Sequence, residues 1–138
     1  MDAFNLLSIE LDKWSGASVA YTFQQENGVT EVKVKMDTPR HPDLTNLFDI
    51  GLKSRVAWLL GFDITAEDLP VYPYGAAYPK NGEVVYSAYI EGPAGRYKAK
   101  TPKVKFTQED SDLFALIESE AREYVINGKS AQLSIFGE

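Results

Sequence analysis

Between Arg96 and Lys105 the chain places five cations and no acid: Arg96, Lys98, Lys100, Lys103 and Lys105. Arg96, Lys98 and Lys100 recur at every second residue, the spacing that puts strand side chains on one face, with Tyr97 on the other. Lys33 and Lys35 repeat the pattern on a second expected strand. Were two such strands neighbours, they would form a positive patch able to follow a phosphate backbone, with nearby tyrosines stacking on bases. Two architectural uses compete. Lysines on an edge strand block sheet-to-sheet aggregation, and they can pair with acidic helices. The loop Tyr72-Pro73-Tyr74, with Tyr78, offers a second contact surface, since tyrosine is large, stiff and amphipathic; such rings also serve as lids on a core edge.

Other chemistry is thinly represented. His41, between Arg40 and Pro42, is the single histidine; it has no second histidine for a metal and no serine or carboxylate partner in a motif. It reads as a solvated or capping residue. Glu118, Glu120 and Glu123 read as the wet face of a helix, and Glu109, Asp110 and Asp112 as favourable negative charge at its start. Neither a glycine-rich phosphate loop nor Gly-x-Ser-x-Gly is present, and Gly92-Pro93-Ala94-Gly95 lacks the spacing and the lysine. With no cysteine, disulfides, thiol catalysis and thiolate-held zinc are excluded. The expectation is a non-enzymatic protein with no cofactor and no metal.

The elements that must position these residues follow from hydrophobic period. The chain has 138 residues, 44% hydrophobic and 25% charged, which suits one globular domain. Leu7, Ile9 and Leu11 alternate with polar residues, as do Val19, Tyr21 and Phe23, and then Val32, Val34 and Met36 after the hairpin dipeptide Asn27-Gly28. This predicts a three-stranded antiparallel meander. From Asp43 to Leu60 the period becomes helical, through Leu44, Leu47, Phe48, Leu52, Val56, Leu59 and Leu60. Pro70 to Lys80 reads as an irregular loop or short edge strand. Val84 to Ile90 reads as a strand covered on both faces. Arg96 to Phe106 reads as a strand that changes phase at Pro102, hence a bulge or two short strands. Thr107 begins a second helix with apolar stripe Leu113, Phe114, Leu116, Ile117, Ala121, Tyr124 and Val125, stopped at Asn127-Gly128. The fold expected is α+β: an antiparallel sheet of about five to six strands with two helices on one face. Residues 1–128 form the domain and 129–138 a tail.

Net charge is −6, which repels phosphate unless the positive charge is clustered. No apolar run is long enough to span a bilayer, and Met1 to Asn5 lacks the basic start of a secretory signal. No membrane role and a cytoplasmic address are expected.

The tail holds the sharpest motif. Gln132-Leu133-Ser134-Ile135-Phe136 resembles the peptide by which bacterial DNA polymerases and repair proteins hold the β sliding clamp, Gln-Leu-(Ser or Asp)-Leu-Phe. Four of five positions agree, with Ile135 in place of leucine. The resemblance implies Gln132 as polar anchor and Leu133, Ile135 and Phe136 as groove-filling residues. A tail whose Leu133 and Ile135 alternate with Ser134 can equally return as an edge strand of its own domain. More broadly, His41-Pro42-Asp43-Leu44, the helix to Leu60-Gly61-Phe62, Thr101-Pro102, Glu120-Ala121-x-x-Tyr124 and Gly128-Lys129-x-Ala131-Gln132-Leu133 resemble small proteins of tailed bacteriophages and prophages. That likeness implies a bacterial host cytoplasm and company with replication or recombination genes, and supplies no catalytic residue.

The leading expectation is therefore a phage-type accessory protein that recruits the bacterial sliding clamp through Gln132 to Phe136. The alternatives are a single-stranded nucleic-acid binder using Arg96, Lys98, Lys100, Lys103, Lys105, Lys33 and Lys35, and a homo-oligomeric assembly protein working through a sheet edge or the tyrosine loop.

Overall fold

The structure, a computed structural model, describes residues 4–13 and 15–131. Among the described residues seven strands form one antiparallel sheet: β1 (Phe4–Leu11), β2 (Ala17–Gln25), β3 (Gly28–Met36), β4 (Val71–Ala77), β5 (Glu83–Gly92), β6 (Gly95–Lys100) and the two-residue β7 (Val104–Lys105). Their order is β3-β2-β1-β4-β5-β6, with β7 also paired to β5. Helices α1 (Pro42–Asn46), α2 (Lys53–Leu59) and α3 (Gln108–Asn127) pack on one face. The fold is the α+β arrangement read from the sequence.

The core lies between that face and the helices. Phe4, Leu6, Ile9, Leu11, Val19 and Tyr21 from the meander meet Leu44, Phe48, Leu52, Val56, Leu113, Ile117 and Ala121. The first helical run is not continuous. A π turn, Leu47–Gly51, separates α1 from α2, and Leu52 N–H donates to Leu47 O at 2.9 Å. The cause is visible in the spacing. Leu44, Phe48, Leu52 and Val56 are all fully buried and stand four residues apart. Each four-residue step overshoots a 3.6-residue turn by ~40°, so a regular helix would carry this stripe off the core. A wider turn brings it back.

Strand β1 carries a bulge between Leu6 and Ser8, so Leu6, not Leu7, faces the core with Ile9 and Leu11. The Leu6 amide is taken by Glu118 Oε2 of α3 at 2.9 Å.

The stretch expected as a loop or edge strand is β4, in the middle of the sheet between β1 and β5. Pro73 is tolerated there because the register shifts between Pro73 and Gly75, and a bulge is where a strand can lack an amide donor. Gly75 allows the close approach of β1: a Cβ on it would lie 3.3 Å from Ile9 O. β5 is covered on one face only. Val84, Tyr86, Ala88 and Ile90 are buried, while Val85, Ser87 and Tyr89 are half-buried.

After β6 the chain breaks at Thr101-Pro102-Lys103 and resumes as β7 along the same flank of β5. Thr101 secures the break. Its N–H donates to Tyr86 O at 2.9 Å, and its hydroxyl accepts from Tyr86 N–H at 3.0 Å. The domain's bonding carries past α3: Lys129 Nζ binds Asp43 and Glu120, Ser130 bridges to Arg40, and Ala131 N–H donates to Pro39 O.

Candidate nucleic-acid interface

Strand order decides where the basic residues lie. Lys33 and Lys35 are on β3 and Arg96, Lys98 and Lys100 on β6, so they occupy opposite edges and are not neighbours. Register nevertheless places both groups on the same face, which carries no helix among the described residues. Lys35 pairs with Ser18, Ser18 with Glu10, Glu10 with Gly75, Gly75 with Ser87, and Ser87 with Lys100. This row crosses the whole sheet with a lysine at each end. Five strand spacings of ~4.8 Å make it roughly 24 Å long. Lys33 leads a second row through Ala20, Ser8 and Ala77. Lys105 pairs with Glu83 on the same parity, and Lys103 stands in the connecting segment.

The floor of this face is small side chains and the rims are long cations. Ser8, Glu10, Ser18, Ala20, Lys33 and Lys35 line an open depression of about 440 Å³. Toward the β6 edge the floor becomes aromatic. Tyr72 pairs with Tyr89 across β4 and β5, and the Tyr74 and Tyr89 rings lie 4.5 Å apart. Lys98 Nζ sits 5.6 Å from the Tyr74 ring and 5.8 Å from that of Tyr89. The Arg96 guanidinium is 5.3 Å from Tyr72 and 5.5 Å from Tyr89, and Lys53 of α2 approaches Tyr72 at 4.7 Å. Burial raises the Tyr74 hydroxyl above its ordinary pKa, opposed by Lys98 and helped by Glu10.

Charge balance separates the residues of this face. Arg96 has Glu91 at 3.5 Å. Among the described residues, Lys33, Lys35, Lys98, Lys100, Lys103 and Lys105 have no carboxylate within ion-pair distance. Pairing with the acidic helices is therefore not what these lysines do.

The most elaborate polar site lies on the covered face. Asp110 is fully buried and does more than place negative charge at the start of α3. Arg55 donates to both its oxygens, Nε to Oδ1 at 3.0 Å and Nη2 to Oδ2 at 2.9 Å. The Tyr86 hydroxyl donates at 2.8 Å, and the Thr107 N–H and hydroxyl add 3.0 and 3.1 Å bonds. Burial pushes this carboxyl up, but the bonds from Arg55, Thr107 and Tyr86 outweigh it and hold it below the usual range. Thr107 and Asp110 also form the capping box of α3. Every acceptor lobe is taken, so Asp110 is an architectural node.

His41 caps α1, its Nδ1 accepting from Asp43 N–H at 3.0 Å. Among the described residues no group of three or more histidine, aspartate or glutamate side chains could hold a metal. No helix among them is long and apolar enough to cross a membrane. Gln132, Leu133, Ser134, Ile135 and Phe136 lie outside the described residues.

Tyr89 and Ser87 are the residues that sequence reasoning missed. Their signal was the parity of β5: both alternate with Tyr86 and Ala88, and so must face away from whatever buries those two. Tyr78, grouped with Tyr72 and Tyr74 by sequence, belongs elsewhere. It is buried against Phe106 and Phe114, with ring centroids 6.1 and 4.6 Å away. Comparison with protein-family models, curated proteins and solved structures gave no match.

Proposed function

We propose that the helix-free face of the sheet is a platform for single-stranded nucleic acid. The observation that carries this reading is the shared face of Lys33, Lys35, Lys98 and Lys100, with a tyrosine cluster on the same surface. A single strand laid across the sheet from β6 to β3 would meet cations at both rims. Its bases would meet Tyr72, Tyr89 and the Arg96 guanidinium, which offer planar faces for stacking. A path of ~24 Å suits the low end of the ~4–16 nucleotides bound by single-strand platforms of this size.

The net charge of −6 is compatible with this because it is segregated. Arg96 to Lys105 carries five cations and no acid, whereas α3 carries Glu109, Asp110, Asp112, Glu118, Glu120 and Glu123 against Arg122 alone. The field of such a molecule orients it, with the open face toward a polyanion.

The test is fluorescence anisotropy of a labelled single-stranded oligonucleotide at low ionic strength. Affinity that falls with salt, and drops at least about tenfold on Lys98→Glu/Lys100→Glu, supports the platform. No binding at low salt, or binding indifferent to that pair, overturns it.

A second reading rests on the motif Gln132 to Phe136, and is compatible with the first. Ala131, the residue before the motif, is tied to Pro39, so the peptide starts from a fixed point on the domain. Under this reading the chain is a phage-type accessory protein that brings its single-strand platform to the bacterial sliding clamp. Removing residues 132–138 should abolish clamp capture in a pull-down while leaving oligonucleotide affinity and fold unchanged. Capture that survives the truncation contradicts it.

A further inference from the structure

β3 closes the sheet on one side. Its nine residues have β2 on one flank and, among the described residues, no strand on the other. The pair Gln25–Gly28 closes a two-residue hairpin turn. Even-numbered residues of β3 therefore direct their N–H and C=O groups to β2, and Val29, Glu31, Lys33 and Lys35 direct theirs outward. No proline or bulge interrupts this edge. The helices pack chiefly on β1 and β4, so Val32, Val34 and Met36 stay half-buried on the covered face; Val29, on the opposite face with Glu31 and Lys33, is 62% exposed.

We infer that β3 pairs antiparallel with β3 of a second copy, in the register that sets Val32 opposite Val32. Charge selects that register. Each Glu31 then lies opposite Lys33 of the other copy, twice by symmetry, and Val34 lies opposite Thr30. Sliding one pairing step toward the C-terminus keeps two opposite-charge pairs, Glu31 against Lys35, but sets Lys33 against Lys33; sliding the other way sets Glu31 against Glu31, and a further slide toward the C-terminus sets Lys33 against Lys35. Like charges directly opposite are destabilising in a sheet. The other edge cannot do this: Arg96, Lys98 and Lys100 share a face of β6 with no acid on that face, so every antiparallel self-pairing opposes cations. β6 is the guarded edge, and β3 is the self-complementary one. The paired sheets would run the two open faces into one surface. The pairing itself does not depend on any role in nucleic-acid binding.

The chain has no cysteine, so single cysteines report the register. Val32 meets its copy at a non-hydrogen-bonded position, with Cα atoms ~4.5 Å apart, which is within disulfide reach. Val32→Cys should give a covalent dimer under mild oxidation. Lys33→Cys, diagonal to its copy at roughly 7–8 Å, should react poorly. By light scattering the native chain should be dimeric. Glu31→Lys should raise the dimer dissociation constant at least about tenfold, and Glu31→Lys/Lys33→Glu should restore it, with circular dichroism confirming the fold of each variant. A native chain that stays monomeric at high concentration, equal cross-linking at both cysteines, or a charge swap that restores nothing would overturn the inference.

Discussion

The two faces of the sheet treat charge in opposite ways. On the covered face Asp110 is bonded to Arg55, Tyr86 and Thr107 with no acceptor site left over. On the open face Lys33, Lys35, Lys98 and Lys100 are exposed, and among the described residues none has a carboxylate partner. A buried ion is tolerated only when its partners are built in. Under the platform reading, the exposed lysines at the two rims of a small-residue floor find their complement outside the chain. The difference separates a polar site that maintains the fold from the one proposed to bind.

The contrast can be broken most forcefully at Asp110. Asp110→Ala leaves Arg55 and Tyr86 without their acceptor and should lower stability by about 3 kcal/mol or more, measured by urea denaturation. Oligonucleotide affinity of the protein that remains folded should not change.

Acid should reach the same node. A carboxyl held below its ordinary pKa of 3.8 contributes its stability in full above that value and loses it as pH falls through the lower, folded-state value. Unfolding free energy should therefore drop below about pH 4, and Asp110→Asn should flatten that part of the profile. A native profile that is already flat there contradicts the assignment.

On the open face the effects should appear in binding. Tyr89→Ala should cost about 1–3 kcal/mol of single-strand affinity, read by anisotropy. The smallest effect sharpens the contrast. Glu10 is the lone acid in the row from Lys35 to Lys100, so Glu10→Gln should raise affinity by a factor of a few, with stability unchanged within about 0.5 kcal/mol. Weaker binding by that variant would argue that Glu10 contacts the ligand.

Local pattern made much of the fold legible. The meander, the helix capped at Thr107 and the break at Pro102 all follow from residues within a few positions of one another; the first hairpin turns at Glu26-Asn27, one residue before the expected Asn27-Gly28, and Gly28 opens β3. What escaped depends on distant partners. β4 reads as a loop or a short edge strand because Pro73 and Gly75 are poor strand residues in isolation; only the bulge and the close approach of β1 fit them to the middle of the sheet. The π turn needed the core to which Leu44, Phe48, Leu52 and Val56 are all held. Asp110 reads only as favourable charge at a helix start because Arg55 lies 55 residues away in sequence. The basic residues of the site were nameable from their spacing. That the β3 and β6 lysines share a face required the strand order, which no local pattern carries.

The platform is tested most directly by titrating isotope-labelled protein with a short single-stranded oligonucleotide and following backbone amide resonances. The account predicts shifts along the row Lys35, Ser18, Glu10, Ser87 and Lys100, together with Tyr72 and Tyr89, and little change in α3. Shifts confined to the helical face, or to one edge of the sheet alone, would contradict it.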